Sequence, residues 1–221
     1  MKERPILFSA SMVRAVLADT KTQTRRVVKP QPHILAGELL CWKDDALTDD
    51  QMAARCPYGQ PSDQLWVRET FFAWGRWETR YSAKKGRDEW HFIDMTMECG
   101  KAYIYAADAP RPQPLAGKRD GGVTPKWWKR PAIHMPRAAS RITLENTGVR
   151  VQRLTDISEG DARAEGAREC DPVSGREVLL AGQSQRGSFI LHYRDIWEQI
   201  NGPGSWDANP WVWAVDFRRL P

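Results

Sequence analysis

No stretch of the chain approaches the ~18 consecutive apolar residues of a membrane-crossing helix, so a membrane protein is not expected. Cysteine is sparse: Cys41, Cys56, Cys99 and Cys170 lie far apart and form no CxxC pair. That spacing argues against a disulfide framework and against structural zinc, which declares itself by close ligand pairs. His33, His91 and His192 have no Cys or second His beside them, so no metal ligands are assigned. P-loop, GxGxxG, GxSxG and HExxH patterns are all absent, which disfavours nucleotide triphosphatase, dehydrogenase, α/β-hydrolase and zincin chemistry, and no cofactor is expected. The first residues hold too short an apolar run for a signal peptide, so a cytoplasmic location is expected.

What the sequence does have is the makeup of an ordinary globular protein. Its 221 residues are 41% hydrophobic and 28% charged, enough to build one sizeable domain. Eleven tryptophans are many for this length and suit either a compact β core or surfaces on which flat rings stack. The net charge of +5 conceals a strong asymmetry. Residues 1–30 carry seven bases against two acids, and residues 108–141 carry eight against two, leaving the remainder net −6. If the two basic segments meet they form a face able to collect phosphates; otherwise they are two solvated loops.

Hydrophobic periodicity gives a coarse element map. Ser9 or Ser11 can cap a helix with Met12, Val13, Val16 and Leu17 on one face. The Thr- and Val-rich run 20–28 reads as a turn entering a strand, stopped by Pro30 and Pro32. Strands are expected over 65–71, 90–93 and 102–105 (these two a candidate hairpin), 141–144, 149–154 and 211–217, with helices over 157–167 and 189–200. Residues 33–63, an acidic patch mixed with Pro and Gly, read as an excursion outside the core, and residues 108–131 as a long basic loop. Strands outnumber helices and no βαβ repeat appears, so the expected class is α+β: a small, partly closed mixed β-barrel with flanking helices.

Four groups of residues can carry chemistry. Lys21, Thr22, Thr24, Arg25 and Arg26 lie at a helix-to-strand junction, where backbone donors and side chains converge on one spot. They suit a phosphate-bearing ligand, or simply an exposed strand with charged ends. Glu69 sits in an otherwise apolar strand and needs a partner if it points inward, or is solvated if Arg68 points inward instead. Lys126, Trp127, Trp128, Lys129 and Arg130 interleave bases with aromatics, as base stacking with phosphate contact requires; the Trp pair can equally be tucked into the core. His134, beside Met135 and Arg137, is a general base, a ligand or a structural histidine.

In this order the motifs resemble the ASCH superfamily, in the larger form carried by phages and prophages. The resemblance rests on Pro5-Ile6-Leu7-Phe8 with the helix Met12 to Leu17, the run Lys21 to Arg26, Asp63 to Phe71, Pro131 to Arg137, Ser140 to Leu144, and Asn209 to Trp213. It covers nearly all of 1–221 as a single domain, with 33–62, 74–125 and 171–187 as variable insertions. ASCH domains resemble PUA domains, small mixed barrels with a basic cleft associated with RNA. Some small bacterial members are amidohydrolases of N-acetylated cytidine that use a lysine, a threonine and a glutamate. Those roles fall by motif position on Lys21, Thr24 and Glu69, with Arg25, Arg26, Lys126, Trp127, Trp128, Lys129, Arg130, His134 and Arg137 as candidate substrate or nucleic-acid contacts.

The resemblance therefore implies an RNA- or nucleoside-binding protein, with single-stranded nucleic acid or a modified nucleoside as partner, that removes an acyl group from a modified base. The alternative is a non-catalytic nucleic-acid-binding module, regulatory in a phage life cycle. A metal-dependent ribonuclease is a third reading, for which no obvious carboxylate cluster is in the sequence.

Overall fold

The computed structural model describes residues 1–34, 40–108, 124–170 and 188–221. Arg111, Lys118 and Arg119 of the second basic segment, and the insertion 171–187, lie outside them. The chain order is β1 (Glu3–Leu7), α1 (Ala10–Leu17), β2 (Gln23–Val27), β3 (His33–Ile34), β4 (Leu40–Trp42), β5 (Asp45–Leu47), α2 (Asp49–Ala53), β6 (Gln64–Arg68), β7 (Phe71–Ser82), β8 (Arg87–Asp94), β9 (Ile104–Tyr105), β10 (Lys126–Arg130), β11 (Thr143–Arg153), α3 (Glu159–Ala164), α4 (Phe189–Asn201) and β12 (Trp211–Arg219). The class is α+β, mostly strands with few helices. No helix among the described residues is long and apolar enough to cross a membrane.

The chain divides into two compact units, one of residues 1–5, 15–66 and 142–221, the other of residues 6–14 and 67–141. The first is built on a sheet ordered β1-β6-β11-β12-β2. That order is an open path: no pairing between β1 and β2 closes it into a barrel among the described residues. Its spine is β12, where Trp211 to Val215 are all buried. Alternation predicts one buried face for this strand, with Trp211, Trp213, Val215 and Phe217 inward. Val212 and Ala214 are also buried because the strand is internal to the sheet and covered on both sides. Val212 packs with Leu154, Tyr193, Trp197 and Trp206 in a cluster that joins β12 to α3 and α4.

Capping explains where the helices begin. Ser9 Oγ accepts from the Met12 N–H at 3.4 Å, and Ser158 Oγ accepts from the Asp161 N–H at 3.0 Å. Residues 40–53, read as an excursion, form the hairpin β4–β5 with α2, and Trp42 packs edge-on to Trp213 at 6.0 Å. The two strands expected at 141–144 and 149–154 are one strand, β11, with an irregularity between Asn146 and Gly148.

The second unit holds the sheet β10-β7-β8, with β9 pairing the start of β7. Two expectations change here. Lys126 to Arg130 form a strand paired to β7 from Gly75 to Phe71, rather than part of a loop. The segments at 90–93 and 102–105, candidates for a hairpin with each other, instead pair with opposite ends of β7. Gly75 lets these strands come together: a Cβ there would lie 2.1 Å from the Ile93 carbonyl oxygen, so no side chain fits. Phe71, Ala73, Met135 and Ala139 form this unit's core, with Phe92, Tyr103 and Tyr105 packed against it.

Candidate active site

Lys21 precedes β2 at the end of a tight turn. The Asp19 N–H donates to Val16 O, and the Lys21 N–H to Ala15 O, which keeps the turn against α1. The Thr22 N–H donates to Ala164 O and the Phe217 N–H to Thr22 O, tying the same turn to α3 and β12. The junction fixes five consecutive polar residues, and Lys21, Gln23, Thr24 and Arg25 are all buried. The exposed charged strand that composition allows is therefore not what forms.

Such burial demands partners, because an isolated charge in low dielectric costs several kcal/mol. Lys21 Nζ donates to Glu165 Oε2 at 2.5 Å and to the Glu165 backbone oxygen at 2.9 Å. The side chains of this pair are 1% and 3% exposed. Arg25 Nη1 donates to Gln23 Oε1 and lies 3.7 Å from Glu165 Oε1, while its Nη2 is 3.2 Å from Asp161 Oδ2. Gln23 Nε2 donates to Asp161 at 2.8 Å and to Asp216 at 2.6 Å, and Arg150 Nη2 donates to Asp161 at 3.0 Å. Tyr193 Oη completes the set, 3.5 Å from Glu165 Oε1. Gly166, at φ +87°, gives α3 its left-handed exit beside Lys21, whose Cβ would be 3.4 Å from an added methyl.

The titration behaviour follows from this geometry. Burial pulls the Lys21 ammonium below its ordinary range; Glu165 opposes the shift, and Arg26 and Arg25 reinforce it. Burial works to raise Asp161, but hydrogen bonds from Gln23 and Arg150 and the Arg25 charge hold it well below the usual carboxylate range. Burial and the Glu165 charge push the Tyr193 phenol well above its ordinary value, so it stays a donor.

Glu69 belongs to the second unit, whereas Lys21 and Thr24 belong to the first. It lies in the two-residue break between β6 and β7, not in mid-strand, and is 2% exposed. Arg141 grips it with two nitrogens, Nε at 2.9 Å and Nη2 at 3.3 Å, and also holds Asp108 at 2.7 and 3.0 Å. The Arg141 guanidinium stacks 3.9 Å from the Tyr105 ring centroid. Burial raises the Glu69 carboxyl above its ordinary value, and Arg141 only partly offsets this.

The basic-aromatic run is divided by its strand. Trp128 is buried, its indole N–H donating to Gly75 O at 2.9 Å, which is the core arrangement and not a stacking surface. Trp127 is half-buried and edge-on to Trp74 at 5.6 Å. Arg130 covers Trp77 and Phe92, Lys126 covers Trp128, and Lys129 is exposed. His134 and Arg137 are exposed on short 3₁₀ turns.

The residue that sequence reasoning missed is Glu165. Its pairing with Lys21 spans 144 positions, and its one local signal is an acid at the C-terminal end of α3, where the helix dipole disfavours negative charge. Among the described residues, no group of three or more His, Cys, Asp or Glu is arranged to hold a metal ion. No disulfide joins Cys41, Cys56, Cys99 and Cys170, of which Cys56 and Cys170 are buried. No family model matches the chain, no curated protein matches it, and no solved structure matches its fold.

Proposed function

We propose that the chain is an ASCH-type, PUA-like protein that binds RNA or a nucleoside and hydrolyses an acyl amide on a modified base such as N-acetylated cytidine. In this reading the sheet β1-β6-β11-β12-β2 is the wall of the family's small barrel. The observation that carries the proposal is the buried Lys21, with its ammonium form disfavoured, beside a strand that carries the buried Thr24; Nζ rests on Glu165, so the reaction requires it to leave Glu165 for the Thr24 hydroxyl. A hydroxyl is a weak nucleophile, and a neutral lysine is an established alternative to histidine as its base.

Lys21 Nζ takes the Thr24 hydroxyl proton as Oγ1 attacks the acyl carbonyl carbon. The tetrahedral adduct collapses, the C–N bond breaks, and the released amine takes the proton back from Lys21. Lys21 then takes a proton from water as the oxygen attacks the ester carbon, the bond to Thr24 Oγ1 breaks, Oγ1 takes the proton back from Lys21, and the carboxylic acid leaves. Incubating the protein with a panel of N-acylated cytidines tests this: acyl release is expected from wild type and none from Thr24→Ala. A wild type inert toward the whole panel overturns it.

The exposed Lys129 and half-buried Trp127 favour a second reading, a nucleic-acid-binding module with Lys21–Glu165 as a structural ion pair. Binding of single-stranded RNA then weakens as salt rises, through counterion release. Trp127→Ala is expected to cost about 1–3 kcal/mol of binding if a base stacks there. Trp128→Ala is expected instead to cost about 3–5 kcal/mol of stability, as a large ring leaves the core. Titrations at several salt concentrations and denaturant melts measure the two effects; a Trp127→Ala protein of unchanged affinity removes the stacking role.

A further inference from the structure

We infer that Glu165, in place of Glu69, is the carboxylate that sets the charge of Lys21 and hence the pH range in which the lysine acts as a base. As a statement about catalysis this rests on the hydrolase reading above; as a statement about the lysine's charge it stands on geometry alone. Both acids are buried, but their cations differ. Glu69 is gripped on both oxygens by Arg141. Glu165 offers Oε2 to Lys21 at 2.5 Å and its backbone oxygen at 2.9 Å, so one residue aims the ammonium with two acceptors.

The groups around Glu165 tune that contact from each packed element. On β2 stand Arg25, 3.7 Å from Oε1, and Arg26; on α4, Tyr193 donates to Oε1 at 3.5 Å; on α3, Asp161 occupies the other face of Arg25. Arg25 is thereby shared between two acids, and Glu165 Oε2 is left for the lysine. Glu165 is a positioning residue: it orients Nζ and opposes the effects of burial and of the two arginines, which favour the neutral amine.

Replacing Glu165 removes the attraction that holds the proton on Lys21. In Glu165→Gln the lysine should titrate about 1–3 pH units lower, the range an opposite charge within contact distance confers. Glu69→Gln, which alters Arg141's partner, should leave the lysine where it is. The direct readout is the pH titration of the Lys21 Nζ resonance by lysine-selective ¹⁵N NMR on the whole protein, assigned with Lys21→Met. The acid limb of the kcat profile should move by the same amount.

Should Glu165→Gln not fold, Glu165→Asp, with its carboxylate drawn back from Nζ, should move the titration downward by a smaller step. A lysine that shifts in Glu69→Gln, or in none of these variants, overturns the inference. If the resonance shifts as expected but no acylated nucleoside is hydrolysed, the inference stands and the hydrolase reading fails.

Discussion

Lys21→Ala is expected to lose both acyl release and stability, and the two losses have different causes. Removing a general base costs about 10²–10⁴-fold in rate. Separately, the change takes from Glu165, whose side chain is 3% exposed, the nearer of its two cations and leaves it only Arg25 at 3.7 Å. Breaking one side of a buried pair costs about 3–5 kcal/mol. Lys21 lies off the apolar face of α1 set by Val13 and Val16, yet it is buried, so the change is felt in the interior.

Two further variants separate the causes. Lys21→Met with Glu165→Gln removes both charges together, so most of the stability should return while activity does not. Lys21→Arg keeps a cation for Glu165 at an overpacking cost of about 1–3 kcal/mol, but guanidinium gives up no proton near neutral pH, so hydrolysis should stay lost. If the ion pair is only structural, Lys21→Arg leaves function intact. Rates measured beside denaturant melts on the four proteins give the answer, and full hydrolytic activity in a folded Lys21→Arg eliminates the lysine as base.

Arg141→Ala is the second large effect, this one on stability alone. Glu69 is 2% exposed and has both oxygens on Arg141, so removing the arginine leaves a buried, unpaired carboxylate. The expected loss is about 3 kcal/mol at neutral pH, the low end for a broken buried pair, because Arg141 is itself 27% exposed and water can reach the gap. Its pH dependence has a definite sign. The folded Glu69 carboxyl is already raised above its ordinary 4.5 by burial, and losing Arg141 raises it further. A raised carboxyl makes the folded state bind more protons than the unfolded one, so stability falls as pH rises through that window. The destabilisation should therefore be full at pH 7 and shrink as pH approaches 4.5 and below. Melts across this range check it; a loss that grows toward acid would mean that Glu69 is not the group left stranded.

The elements legible in the sequence were those with one dominant period. Val13 and Val16 in α1, Tyr193 and Trp197 in α4, and the run Trp211 to Phe217 in β12 all bury the faces their spacing announces. β7 was missed because Arg76, Glu78 and Arg80 alternate with Gly75, Trp77 and Thr79, a pattern that reads as variable sequence until two partner strands flank it. β10 was hidden by its charges: Lys126 and Arg130 look like loop residues until their aliphatic stems and cations lie over Trp128, Trp77 and Phe92.

At the site, Lys21, Thr24 and Arg25 stood out as a dense polar run, but nothing local marked them as buried. Glu69 drew notice as an acid among apolar neighbours, and it did need a cation; that cation is Arg141, 72 positions away. The pairings of Lys21 and Glu69 are both tertiary, so no periodicity could report them.

Trapping the acyl-enzyme shows whether Thr24 is the nucleophile. The protein is mixed with N-acetylated cytidine, quenched in acid within the first turnover, and its intact mass and peptides are read. One acetyl group is expected on Thr24 in wild type and none in Lys21→Arg or Thr24→Ala. Hydrolysis with Thr24 never acylated, and undiminished in Thr24→Ala, would contradict it.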